Sequence, residues 1–108
     1  GALEFNEDLL ASVTKHDMIR RLLHNLKGAY LRAGDDERAL GAVERLLLLV
    51  PDDAAEMRDA GLLLFRMGRF GKALDRLEAY LATSPAPTDS ASVREHVSTL
   101  RQRLAEMN

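Results

Sequence analysis

The three histidines are the first residues to consider as catalytic or metal-binding groups, and their spacing fits neither role. His16, His24 and His96 lie far apart, and the chain has no cysteine. No pair of histidines lies three or four residues apart, the spacing with which two ligands on one helix hold zinc. We therefore expect no metal and no other cofactor, and we interpret the imidazoles as exposed or groove-lining side chains.

Other arrangements that could support catalysis are equally weak. The segment from Gly68 to Gly71 has two glycines, but it lies between two predicted helices and not in the strand-to-helix loop that binds phosphate. No serine or threonine has a histidine and a carboxylate at suggestive positions. Arg58 and Asp59 could perform acid–base chemistry, but a salt bridge between neighbouring helices explains them better. We predict that the chain is not an enzyme.

Composition narrows the class of partner. The 108 residues are 46% hydrophobic and carry a net charge of −2, which argues against general affinity for nucleic acid. No apolar run is long enough for a membrane span, and no signal peptide is visible. The lack of cysteine fits a reducing compartment such as the cytoplasm. A first residue of Gly1 indicates a piece excised from a longer protein or left after removal of a tag.

The elements that position these residues form one unit written twice. Four pairs match at an offset of 34 residues: Gly34 and Gly68, Ala39 and Ala73, Leu40 and Leu74, Pro51 and Pro85. A period of 34 ending in proline resembles the tetratricopeptide repeat (TPR), a helix–turn–helix unit that buries its apolar face by stacking. Each glycine suits a left-handed turn after a helix, and each alanine suits a helix crossing.

The periodicity predicts an all-α chain of five helices, a short α-solenoid of two TPR hairpins and a C-terminal capping helix. Residues 1–13 are interpreted as a linker or short helix, and residues 14–108 as the TPR domain. A capping box at Thr14–Asp17 predicts that the first helix starts at about Lys15, and a second box at Asp53–Glu56 starts the third helix. The expected boundaries are about 20–53 for repeat 1, about 54–87 for repeat 2 and about 90–107 for the capping helix.

Four strings of sequence suggest a narrower family. They begin at Arg21, Leu46, Arg58 and Leu77 and read RLLHNLK, LLLLVPD, RDAGLL and LEAYL. Together they resemble the C-terminal part of bacterial proteins with a transglutaminase-like domain followed by TPRs, the Sir B or YchA type. The resemblance spans roughly Leu10 to the C-terminus and implies a regulatory family, but this chain has Ala60 where a second arginine is expected. No catalytic residue carries over, because the enzyme-like domain is not in this sequence.

In TPRs the first helix of each pair lines a concave groove. Aligned by the repeat, the expected partner-binding residues are Arg21, His24, Asn25, Leu31, Arg32, Arg58, Asp59, Leu62, Phe65 and Arg66. Arginine forks suit carboxylates and apolar neighbours suit a helix or extended peptide. With Asp59 as the only acid expected among the arginines, this surface predicts an acidic protein or peptide partner. His24 and Gly28 replace the lysine and asparagine of the chaperone-binding clamp, so a chaperone tail is not expected.

Two further roles stay open at this point. The domain could dock onto and complete its own transglutaminase-like N-terminal domain, with the groove residues touching that domain. It could also be a homo-oligomerisation module, such as a homodimer, because two repeats leave apolar helix faces to cover. No partner in nucleic acid or membrane is expected.

Overall fold

The protein folds as a row of five α-helices. The computed structural model describes residues 7–107, and its helices are α1 (Glu7–Arg32), α2 (Asp36–Leu49), α3 (Ala54–Arg66), α4 (Phe70–Ala82) and α5 (Pro87–Glu106). Each helix packs against the next one along the chain. The first hairpin is α1 with α2, the second is α3 with α4, and α5 follows. The predicted all-α architecture of two hairpins plus one helix is confirmed.

The two hairpin turns have the same geometry one repeat apart. Gly34 has φ 71° and Gly68 has φ 76°, the left-handed region that glycine adopts without steric cost. After Gly34, the Asp35 amide donates to the Tyr30 carbonyl at 2.9 Å, and after Gly68 the Arg69 amide donates to the Leu64 carbonyl at 2.9 Å. These bonds satisfy the last carbonyls of α1 and α3. The repeat therefore fixes where both hairpins reverse.

Small and aliphatic side chains fill the interfaces between helices. Ala39, Ala60 and Ala73 are completely buried, as are Leu77 and Leu100. Alanine at a crossing lets two helix axes approach closely, and the leucines then fill the space beside it. The core continues through both hairpins into α5, where Val93 and Val97 are also buried.

The start of α1 differs from the sequence expectation. The predicted linker or short helix lies partly outside the described residues, but residues 7–13 form the first turns of α1. Thr14 does not cap a helix, because its hydroxyl donates to the Leu10 carbonyl at 2.9 Å within α1. No proline or glycine interrupts residues 7–27, and a helix that has formed propagates at little cost. The capping box at Thr14–Asp17 was therefore wrong.

Two other helix starts also differ in detail. Asp53 caps α3 by accepting from the Glu56 amide at 3.4 Å, but the Glu56 carboxylate does not reach back and instead pairs with Lys27. The last helix begins at Pro87 and not near residue 90, since proline suits the first turn, where its missing N–H is not needed. Ser90, expected as a cap, is buried inside α5.

Candidate functional site

The ten expected groove residues lie on two neighbouring helices. Five lie on α1 and five on α3, and side chains from both helices meet along the groove between them. Repeat alignment therefore selected the correct helices. The arrangement within this surface is different from the expected one, chiefly in how its charges are paired.

A buried ion cluster joins α1 to α3 at the centre of this surface. The Lys27 ammonium lies 2.9 Å from Glu56 Oε2 and 2.6 Å from Asp59 Oδ2. Glu56 is only 3% exposed, and His24 Nδ1 lies 3.8 Å from its carboxylate. Burial alone would lower the pKa of Lys27, but hydrogen bonds and attraction from Asp59 and Glu56 outweigh burial and raise it. The cluster holds the two hairpins in register.

Sequence reasoning missed Lys27 and the role of Glu56. A signal for Lys27 was present, because Leu23, Lys27 and Tyr30 follow the spacing of one helix face. A lysine within an apolar stripe has to find a buried carboxylate or leave the stripe. Which carboxylate it meets could not be read from α1 alone, because the partner lies 29 residues further along the chain.

Three of the four expected groove arginines are paired with carboxylates. Arg21 bonds Asp17 one helical turn earlier at 3.0 Å, and Arg66 forms a two-pronged pair with Asp36 at the start of α2. Arg58 Nε lies 3.3 Å from Asp59. The expectation that Asp59 is the only acid among the arginines was wrong, because Asp17 and Asp36 also contribute. The surface is thus less basic than the sequence indicated.

Arg58 is also held from its other side. Its guanidinium lies 6.0 Å from the centre of the Tyr80 ring on α4, within the range of a cation–π contact. Burial alone would lower the pKa of Arg58, but the neighbouring Asp59 carboxylate raises it above its ordinary value. Arg58 and Asp59 therefore act as an interhelix tie, which supports the structural interpretation of this pair over acid–base chemistry.

Phe65 is not an open apolar anchor, although the repeat alignment places it in the groove. The His96 ring of α5 meets it edge-on at a centroid distance of 5.2 Å, and the Phe70 ring lies 5.9 Å away. The Arg103 guanidinium lies over the Phe65 ring at 5.8 Å. The last helix therefore occupies this part of the surface, and His96 has a packing role there.

What remains open is a small groove between α1 and α3, which we call the α1–α3 groove. Its volume is about 180 Å³ and its lining residues are Lys27, Leu31, Asp59, Leu62, Leu63 and Arg66. Leu31 is 38% exposed, and Leu62 is half-buried. The exposed side chains of His24, Asn25 and Arg32 lie on α1 near the groove. Apolar side chains between already paired charges suit contact with another protein.

Neither a metal site nor a membrane span is found in the part of the chain that the structure describes. No cluster of three or more histidine, cysteine or acidic side chains there could hold a metal ion. None of the five helices combines the length and the apolar character needed to cross a bilayer.

Comparison with known proteins agrees with the two-hairpin geometry. A family model described as tetratricopeptide repeat matches residues 26–104, which covers both hairpins and nearly all of α5. The chain belongs to the tetratricopeptide-repeat family. This TPR fold is that of a protein-interaction module.

Relatives place this TPR domain more narrowly. It is 31% identical to Protein SirB1 of Salmonella typhimurium (strain LT2) over 99 residues, which is 92% of this chain and 36% of the relative. It is 29% identical to the UPF0162 protein YchA of Escherichia coli (strain K12) over the same shares. A UPF0162 protein of Xylella fastidiosa (strain Temecula1) is 34% identical over 77 residues, 71% of this chain and 27% of the relative. The resemblance to the Sir B and YchA type is confirmed, and the chain spans about a third of the length of these relatives.

Proposed function

We propose that this TPR domain is a non-catalytic interaction module that holds a peptide segment of another protein in the α1–α3 groove. The observation that carries the proposal is the exposure of Leu31 and Leu62 between charged groups that already have partners. Apolar side chains open to solvent between two rigid helices can take up an aliphatic side chain of a peptide.

Apolar contact supplies most of the binding free energy in this proposal. The pairing of Arg58 and Arg66 with Asp59 and Asp36 leaves these guanidinium groups little reason to attract an acidic segment. A new carboxylate would compete with one already in place, at a desolvation cost. Acidic residues of the partner are therefore expected to add selectivity at the exposed rim, where Arg32 lies, and not to dominate affinity.

Selection from a displayed peptide library tests this proposal. Peptides with aliphatic anchors should be enriched on the wild-type chain, and Leu62→Glu should abolish their binding because it places a charge against the groove. Leu48→Glu is the matched control, since Leu48 is 81% exposed on α2, away from the groove. Equal binding of the enriched peptides to wild type and Leu62→Glu, with both chains folded, would contradict the proposal.

A second candidate function is docking onto a transglutaminase-like N-terminal domain of the same protein. The share of the relatives supports it, because SirB1 is matched over only 36% of its length and its remaining chain must pack somewhere. Co-purification of this TPR domain with the separately expressed remainder of the natural protein tests it. A stable complex that Leu62→Glu disrupts would favour docking in cis, and no complex would favour an external partner.

A further inference from the structure

The outer surface of the first hairpin has no helix packed against it among residues 7–107, and we call it the N-terminal face. Its groove has a volume of about 480 Å³ and is formed by α1 and α2. The lining residues are Leu23, Leu26, Tyr30, Glu37, Arg38, Gly41, Ala42 and Arg45. Met18 and Leu22 continue its apolar side along α1 and are 61% and 58% exposed. Met18, Leu22, Leu26 and Tyr30 recur every four residues, so they form one stripe.

The same surface exists once more inside the molecule, one repeat later. The groove between α2 and α4 is lined on the α4 side by Lys72, Asp75, Arg76 and Ala79. On the N-terminal face the lining residues of α2 are Arg38, Gly41, Ala42 and Arg45. Each member of the second set precedes its counterpart by 34 residues. The N-terminal face of α2 is therefore the repeat equivalent of the surface of α4 that faces α2.

The internal copy shows what such a surface accepts. The helix that lies against α4 is α2, which presents Glu37, Leu40 and Glu44. Arg69 Nη2 lies 2.8 Å from Glu37 Oε2, and Arg76 pairs with Glu44. Leu40 lies in the groove between the two acids. The occupant is thus a helix with an acid, a leucine three residues later and an acid seven residues after the first.

The bases of the N-terminal face are available for such acids. Arg38 and Arg45 are seven residues apart, as are Arg69 and Arg76. The Arg38 side chain is 73% exposed and meets only Asp35, at 3.6 Å. Arg45 bonds the carbonyl of Gly41 in its own helix at 3.2 Å and meets no carboxylate among the described residues. Both can turn to an incoming carboxylate without breaking an interhelix pair.

A second copy of this chain does not fit as the occupant. The acid–leucine–acid spacing occurs once in the sequence, at Glu37, Leu40 and Glu44, and α4 already covers it. Pairing of two N-terminal faces would bring Arg38 and Arg45 against their own copies, and like charges across an interface are unfavourable. We propose that the N-terminal face seats an acidic amphipathic helix of a partner protein, at a surface separate from the α1–α3 groove.

A titration with synthetic peptides tests this proposal. The probe is a 14-residue helix-stapled peptide with glutamate, leucine and glutamate at i, i+3 and i+7, because an unstapled peptide of this length is barely helical in water. Its partner probe has lysine at both glutamate positions. Fluorescence anisotropy against the 108-residue chain should show the acidic peptide binding at least about tenfold more tightly than the lysine peptide, a difference of about 1.4 kcal/mol.

Variants of the chain assign the binding to this face. Arg45→Glu should weaken binding of the acidic peptide at least about tenfold, and Leu22→Glu should weaken it through the apolar stripe. Arg94→Glu is the matched control, because Arg94 is an exposed arginine on α5 at the other end of the molecule, and it should leave binding unchanged. Thermal melts of the three variants should match the wild type, since all three positions are exposed.

Four results would overturn the proposal: equal binding of the two peptides, equal effects of Arg45→Glu and Arg94→Glu, a wild-type dimer that Arg45→Glu dissociates, or a full-length natural protein that excludes the peptide. The third would assign the face to a second copy, and the fourth to a segment of the same polypeptide. Sedimentation equilibrium distinguishes the third, and the same titration with the full-length protein distinguishes the fourth.

Discussion

The two ends of the helix row are finished in opposite ways. At the C-terminal end, α5 lies on the second hairpin and buries Val93, Val97 and Leu100. At the N-terminal end, no described helix covers the first hairpin, and Met18, Ile19 and Leu22 stay about half or more exposed. Both ends carry an apolar stripe of helical spacing, so the difference lies in whether a neighbour is present and not in the stripe itself. A repeat surface without its neighbour is a binding surface.

The largest expected effect contrasts one leucine from each end. Leu100→Ala should lower the free energy of unfolding by about 2–5 kcal/mol, since Leu100 is completely buried and its removal leaves a cavity. Leu22→Ala should change it by less than about 0.5 kcal/mol, because Leu22 is exposed. Urea unfolding followed by circular dichroism measures both. Similar losses for the two variants would show that the ends are equally covered in solution.

The next comparison concerns the charged joint between the hairpins. Lys27→Met should destabilise the fold by about 1–3 kcal/mol, because it leaves the buried Glu56 carboxylate without its main partner. Lys15→Met is a control on the exposed first half of α1, and it should change the unfolding free energy by less than about 0.5 kcal/mol. A loss for Lys27→Met no larger than that of the control would mean that the cluster does not hold the hairpins together.

The same joint predicts a pH dependence with a defined sign. The pKa of Lys27 is raised in the folded chain, so its stabilisation is fully present below the ordinary lysine pKa of about 10.4. It is lost as the pH rises through the folded pKa. The difference in unfolding free energy between wild type and Lys27→Met should therefore shrink above about pH 10. A difference that stays constant or grows in this range would contradict the assignment, and taking the difference cancels the tyrosine titrations.

Two glycines provide a sharper test of covered and uncovered surface. A side chain at Gly61 would overlap Leu77, which is fully buried, and would lie 3.3 Å from the Leu77 backbone nitrogen. Gly61→Ala should therefore destabilise by about 1–3 kcal/mol. At Gly41, on the N-terminal face, a side chain would meet only the Arg45 guanidinium, at 3.2 Å. Gly41→Ala should stabilise by about 0.5–1 kcal/mol through helix propensity. Equal effects on melting temperature would mean that both faces are packed alike.

The smallest expected effect comes from the exposed ion pairs between α2 and α4. Arg76→Gln should cost about 0.2–1 kcal/mol, because the Arg76–Glu44 pair is partly open to solvent and screened by salt. Arg45→Gln, its counterpart on the uncovered face, should cost nothing measurable. A double-mutant cycle with Glu44→Gln at low and high salt isolates the pair. A coupling free energy that does not fall with salt would argue for a less exposed pair than the structure shows.

The sequence alone determined the repeat and the path of the chain. Gly34 and Gly68, 34 residues apart, predicted two left-handed turns, because few other residues adopt that backbone. Asp36–Leu49 was predicted as α2 to the residue, since Asp35 and Asp36 favour a helix start and Pro51 prevents its continuation. These features depend on local geometry, which a short stretch of sequence specifies completely.

Tertiary structure alone decided how charges and aromatic rings are used. Lys27 meets Glu56 across 29 residues, Arg66 meets Asp36 across 30, and Phe65 lies beneath His96 of α5. Each of these depends on the rotation of one helix against another, and a single-helix pattern does not contain that angle. The start of α1 belongs here too, because continuation through Thr14 is a competition between a local cap and an uninterrupted helix. Which residues lie on the groove helices could be read from the repeat, but which of them remain open to a partner depended on contacts between helices.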